Sequence, residues 1–242
     1  MARRAFGLPA LIAGAALALV GCEVDPGKAA SEPAPPELAS ASPSAPAYAS
    51  RPLTAEQLVA AALPAGRSPD AYGHPVSVRK PGVSGRKSEP SDPACGRMLA
   101  AAHARQPSRP APAVAEQTFN WRGDIYGGNS TLASYGNSGA VAAFAEVSEG
   151  LSTCRYYEGE GPTTTYKGTV TVDPAPRLGD EAVQFEVTAP TEGGTHVTQY
   201  TVVRAGSVVA TFTKMSVGGL DVRAFPPALI AQQISLLQQA QS

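Results

Sequence analysis

The chain has 242 residues, with 19 Lys+Arg against 20 Asp+Glu and three cysteines. A formal charge of −1 excludes the electrostatic footprint of a general nucleic-acid or anionic-membrane binder, because no basic excess is available to attract phosphate. Its 43% hydrophobic content beside 23 prolines and 24 glycines suits one globular domain carried on unstructured chain.

Arg3 and Arg4 open the chain, an apolar run from Leu8 to Val20 follows, broken only by Pro9 and Gly14, and Leu19-Val20-Gly21-Cys22 closes the segment. The run is shorter than the roughly 20 residues that cross a bilayer, and its layout is that of a secretory signal. The closing residues resemble the lipobox of bacterial lipoproteins, with an aliphatic residue three places before the cysteine and a small one just before it. That resemblance implies a signal peptide over residues 1–21, a diacylglycerol on Cys22 and cleavage after Gly21. Two or three acyl chains, at about 0.8 kcal/mol per buried methylene, hold a protein where one chain is marginal. The expected location is the extracytoplasmic face of the cell membrane, with membrane lipid contacted through acylated Cys22.

Cys95 and Cys154 remain as an even pair, and outside the cytoplasm such a pair is normally a disulfide. The rival reading places a free, acidified Cys95 thiol in a helix first turn; with a second cysteine available and no histidine beside it, pairing is the stronger reading. Between Cys22 and Pro52 the chain is Pro, Ala, Ser and Glu with almost no bulky apolar residue. Pro33, Pro35, Pro36, Pro43, Pro46 and Pro52 oppose helix and sheet, so residues 22–52 read as a lipidated, disordered tether.

Order is predicted from Leu53. Thr54 and Gln57 form a capping box, Leu53 and Leu58 are placed as its hydrophobic staple, and a helix runs from Ala55 to Leu63, where Pro64 and Gly66 end it. Arg67 to Asp92 reads as an irregular loop with short strands at most. Asp92 caps a helix with Pro93 in its first turn, which turns Cys95, Met98, Leu99 and Ala102 inward. Gln106 to Ala115 is a proline-broken loop. Thr118 to Trp121 is a strand with Phe119 and Trp121 on one face, and a turn at Gly127-Gly128-Asn129 leads to a strand over Thr131 to Tyr135.

Ser138 opens a helix whose stripe is Val141, Phe144, Ala145, Ser148 and Leu151, with Cys154 just beyond its end. Strands follow at Thr165 to Val172, with Tyr166, Val170 and Val172 sharing a face, and at Ala182 to Thr188, with Val183, Phe185 and Val187 inward. Val197 to Arg204 and Ser207 to Thr213 flank Ala205-Gly206 as a hairpin, buried on one side and partly covered on the other. Pro226-Pro227 starts a final helix that docks through Ile230, Ile234 and Leu237. The prediction is a single α+β domain over 53–242: a twisted antiparallel sheet with helices packed on it, and one disulfide.

The order of Leu63-Pro64-Ala65-Gly66, Pro93-Ala94-Cys95, Cys154, Leu178-Gly179-Asp180-Glu181-Ala182 and the segment Val202 to Val209 resembles the extracytoplasmic domains of surface lipoproteins in high-GC Gram-positive bacteria. It is similar in layout to the extracellular sensor domain of PknH-type receptor kinases. The resemblance implies a sheet, packed helices and a cleft for an unknown ligand. That domain carries two disulfides, and this chain has cysteines for one.

No catalytic, cofactor or metal site is expected. His74, His103 and His196 lack metal-ligand spacing and read as surface or turn residues. Ser77-Val78-Arg79-Lys80 and Ser84-Gly85-Arg86-Lys87 match Ser-x-x-Lys without the Lys-Thr-Gly strand that penicillin-binding enzymes need, and read as chance. Glu158-Gly159-Glu160 reads as a solvated hairpin tip. The function expected is a monomeric, non-enzymatic module for an envelope ligand or protein partner; the alternatives are a structural docking lipoprotein and a wall hydrolase with a non-local active site. A cleft between the sheet and the loop after Arg67 would use Trp121 and Tyr166 for contact area, and Arg79 or Lys80 to orient an anionic group.

Overall fold

The computed structural model describes residues 51–67, 71–79, 90–106, 108–124, 126–160, 165–217 and 224–242. All belong to one compact unit, Pro46–Ser242. The lipobox with Cys22, most of the tether, and Lys80 lie outside the described residues. Among the described residues, four helices and ten strands form one sheet sandwiched between two pairs of helices. No helix among them is long and apolar enough to cross a membrane.

Helix α1 (Ala55–Ala60) starts on the predicted capping box: Thr54 Oγ1 accepts from the Gln57 amide, and Gln57 Oε1 accepts from the Thr54 amide. It ends short of Leu63 because a side chain from the far end of the sequence takes over its last polar groups. Gln233, fully buried, accepts from the Leu63 amide at 3.0 Å and donates to the Ala61 carbonyl at 2.7 Å. Three two-residue strands follow, β1 (Gly66–Arg67), β2 (Tyr72–Gly73) and β3 (Ser77–Val78).

In helix α2 (Pro93–Ala102), Asp92 Oδ1 accepts from the amides of Ala94 and Cys95. The helix closes with the Arg105 amide on the Ala100 carbonyl and the Ala104 amide on the Ala101 carbonyl. This Schellman closure needs a left-handed residue, and alanine stands there with φ +50°. Ala104→Gly is therefore expected to raise the unfolding free energy by about 0.5–1 kcal/mol, read as a higher urea midpoint. A lower midpoint would mean that packing of the Ala104 methyl outweighs the backbone strain.

Strand β4 (Ala113–Asn120) begins before Thr118, within the predicted loop, because its alanine-rich start pairs along the whole of β5 (Gly128–Ser134). Helix α3 (Gly139–Thr153) is rotated from the predicted stripe: Ala140, Ala143, Phe144, Val147, Gly150 and Leu151 are buried, whereas Val141 is exposed. The reason is close approach to α2, where a Cβ added at Gly150 would lie 2.5 Å from Met98 Cβ. Alanine and glycine share that face with Phe144, Val147 and Leu151. Cys95 and Cys154 are bonded, with Cα atoms 5.0 Å apart.

Strand β6 (Tyr156–Glu160) contains Glu158-Gly159-Glu160, so these residues form a paired edge strand and not a hairpin tip. Strands β7 (Thr165–Asp173), β8 (Glu181–Thr191), β9 (Gly194–Ala205) and β10 (Val208–Val217) continue the sheet in the order β1-β2-β4-β5-β10-β9-β8-β7-β6. The hairpin between β9 and β10 turns on Gly206-Ser207, one residue later than the predicted Ala205-Gly206, because Ala205 pairs with Val208 and Gly206, at φ +59°, takes the first central position. Val172 shares a face with Val170 but is exposed near the strand end. Helix α4 (Pro227–Gln241) docks through Ile230, Ile234 and Leu237 as its spacing predicts.

Alternation along the strands separates two cores. Val114, Ala133, Phe185, Tyr200, Val202 and Val209 pack toward α2 and α3. Ala115, Leu132, Val203, Val208, Ala210 and Phe212 pack toward α1 and α4. The β9–β10 hairpin is thus buried on both faces, more fully than its sequence predicts.

Candidate functional site

On the α1/α4 side, β10 points Val208, Ala210, Phe212, Lys214 and Ser216 the same way, because alternate residues share a face. Val208, Ala210 and Phe212 are core, but the strand then continues in polar residues. Its cross-strand partners change with it: the row Ala210–Val203–Ala182 is apolar, whereas the next rows run Phe212–Thr201–Gln184–Asp173 and Lys214–Gln199–Glu186–Thr171. One end of this face is therefore a hydrophobic seat for helices, and the other is a polar floor.

Lys214 is 3% exposed. A buried ammonium is tolerated only when paired and hydrogen-bonded. Its Nζ lies 2.6 Å from Asp124 Oδ2, donates to the Met215 carbonyl at 2.7 Å and sits 5.5 Å from the centre of the Trp121 ring. Trp121 rests against Gly128, where an added Cβ would come within 2.6 Å of the indole and 2.8 Å of the Thr213 carbonyl. Phe225 meets both Trp121 and Phe119 edge-on, at 5.5 and 5.2 Å between ring centres. An aromatic wall thus stands beside the polar floor.

The site's polar atoms are incompletely satisfied. Ser216 Oγ, Trp121 Nε1 and Gln199 Oε1 are buried without a hydrogen-bond partner around Lys214, and Asp173 Oδ2, also unpartnered, lies two strands beyond Gln199 on the same face. Natural proteins pair nearly all buried polar atoms, so a concentration on one face marks a place built for something further. Burial, with Asp173 adding to it, raises the Glu186 carboxyl above the usual range.

The three predicted contact residues that are described, Trp121, Tyr166 and Arg79, are not brought together. Trp121 lies in the wall just described. Tyr166 lies on the opposite face of the sheet, edge-on to Tyr157 at 6.1 Å. Arg79 is also on that opposite side and is committed internally: its guanidinium donates to the carbonyls of His103 at 2.9 Å and Ala104 at 2.8 Å and pairs with Glu116. Lys80 is outside the described residues. Phe119 is core. Lys214 was missed by sequence reasoning, although an ionisable residue at an inward position of an alternating strand was a readable signal.

His103 departs from its predicted surface role. It caps the C-terminus of α2, with Nε2 3.4 Å from Tyr200 Oη, and burial, assisted by Arg105 and Arg79, pushes its pKa down to about 4. The folded state therefore resists a proton that the unfolded chain accepts near pH 6.5. Stability is expected to be full above that value and to fall as pH drops from 6.5 toward 4, by at most about 3 kcal/mol from this group. Urea midpoints at pH 7 and pH 5 should differ less in His103→Gln than in the wild type; an equal difference would clear His103 of the effect. Nearby, Tyr135 is pushed up to about 12 by burial, and Arg109 pairs with Glu146 at 3.0 Å. His74 lies against Asn120 and Tyr72, His196 against Tyr126, and Glu158 pairs with Lys167 at 3.5 Å. Among the described residues, no group of three or more His, Cys, Asp and Glu converges to hold a metal.

No known protein family and no curated protein matches the chain. Three chains of solved structures do. One is the X-ray structure of an uncharacterized protein from Mycobacterium smegmatis, with a TM-score of 0.38 and 15% sequence identity, covering 72% of this chain and 88% of that one.

Proposed function

We propose that the protein is a surface lipoprotein, anchored by acylated Cys22 outside the cytoplasmic membrane, whose folded domain is a non-enzymatic ligand-binding module. One observation carries the binding reading: the buried, unpartnered polar atoms of Trp121, Gln199 and Ser216 surround Lys214 on a single sheet face, beside the Trp121–Phe225 wall. Binding sites characteristically combine apolar contact area with a few convergent polar groups. The resemblance of the sequence layout to PknH-type sensor domains agrees with this reading. A thermal-shift screen of the full chain against envelope glycans, lipids and wall fragments tests it; a rise in melting temperature is the expected result, and turnover of any of these substrates would replace it with an enzymatic reading.

The anchor is tested separately. Cys22→Ala is expected to abolish membrane retention, because acyl chains supply the attachment and the chain's charge does not. A variant that still partitions into the detergent phase would refute lipidation at Cys22.

A further inference from the structure

Resting on that reading, we infer that the α1/α4-side site takes a neutral, hydroxyl-rich ligand of saccharide chemistry, seated on the polar floor against Trp121. The site's unpartnered atoms require both kinds of partner. Trp121 Nε1 only donates, Gln199 Oε1 and Asp173 Oδ2 accept, and the Ser216 hydroxyl does either. Hydroxyl groups answer all of them, since each both donates and accepts.

Charge excludes the obvious competitors. Lys214 is already met by Asp124, so it offers no free cation to a phosphate or carboxylate, and Asp173 and Glu186 would repel such a group from the adjoining rows. A polyamine would have to lie along a row in which Glu186, Gln199 and Lys214 follow one another, and so would meet a buried cation at its end. Ser216 is 5% exposed and unpartnered, so the site does not depend on the carboxylates alone. The floor crosses from β10 to β7, three strand spacings of about 4.8 Å each, which is longer than a single sugar ring.

Trp121 is the chain's single tryptophan, so its emission reports this site alone. The full chain in detergent is titrated with maltotriose, N,N′,N″-triacetylchitotriose, glucose, inorganic phosphate and spermidine. The expected result is a saturable emission change with a neutral trisaccharide, at least about tenfold weaker for glucose. Ser216→Ala should weaken trisaccharide binding about tenfold while leaving the melting temperature unchanged or higher, because it removes a buried hydroxyl that the free protein leaves unpaired. Gln199→Ala, at a partly exposed position, repeats the test where a folding defect is less of a risk. Phosphatidylcholine vesicles with and without galactosyl diacylglycerol separate the sources: a response to soluble trisaccharide assigns free or wall glycan, and a response to the glycolipid vesicles alone assigns a headgroup. A response to phosphate or spermidine alone, or unchanged trisaccharide affinity in both variants, overturns the inference. If the thermal-shift screen finds a ligand while Trp121 ignores every neutral saccharide, the saccharide assignment falls and the binding reading stands. If nothing stabilises the protein, both fall.

Discussion

Replacing Cys95 and Cys154 together by alanine is expected to lower the unfolding free energy by about 4 kcal/mol, the largest stability effect in the molecule. The bond closes a loop of 59 residues, and the chain-entropy relation gives about 4 kcal/mol for restricting an unfolded chain over that length. Both sulfurs are fully buried between α2 and the C-cap of α3, so truncation adds a packing loss to the entropy term. The check is equilibrium urea unfolding of the oxidised protein, the reduced wild type and the double variant. The reduced protein should fall most of the way to the variant. A loss below about 1 kcal/mol on reduction would mean that the α2–α3 contact holds without its covalent staple.

Arg79→Ala is expected to cost about 2–4 kcal/mol, although sequence reasoning assigned this residue to ligand contact. Its guanidinium satisfies two carbonyls, of His103 and Ala104, that the end of α2 leaves without intrahelical partners, and it also neutralises Glu116. Removing it strands all three acceptors. Glu116→Ala, by contrast, leaves the guanidinium both carbonyls and should cost about 1 kcal/mol. Lysine should not rescue position 79, because a single ammonium cannot reproduce the planar fork. Melting curves of the three variants decide the matter: equal losses for Arg79→Ala and Glu116→Ala would shift the role from capping α2 to the ion pair alone.

Arg79 also marks the boundary of what a linear reading reaches. Its neighbours in sequence, a basic stretch among glycines and prolines, suggest a solvated or anion-binding loop. Its neighbours in space are a helix end 24 and 25 residues later and a strand glutamate 37 residues later. The same holds for the early end of α1, which depends on Gln233 from 170 residues away. It holds for the buried side of α3 as well, which is chosen by how closely α2 can approach Gly150.

The elements that the sequence determined by itself are those whose stabilising groups lie within a few residues. The Thr54–Gln57 box, the Asp92 cap followed by Pro93, the glycine turn between β9 and β10, and the docking stripe of α4 are of this kind. The pairing of Cys95 with Cys154 was also legible, from cysteine parity and the expected compartment. Tertiary structure decided the sheet order, the faces, and the candidate site. Trp121 and Asp124 come from the β4–β5 connection, Gln199 from β9, Lys214 and Ser216 from β10, and Phe225 from a segment before α4, and no local spacing relates them. What joins them is antiparallel register, which sets residues distant in sequence side by side at roughly 5 Å and leaves the polar ones facing one another where the helices end.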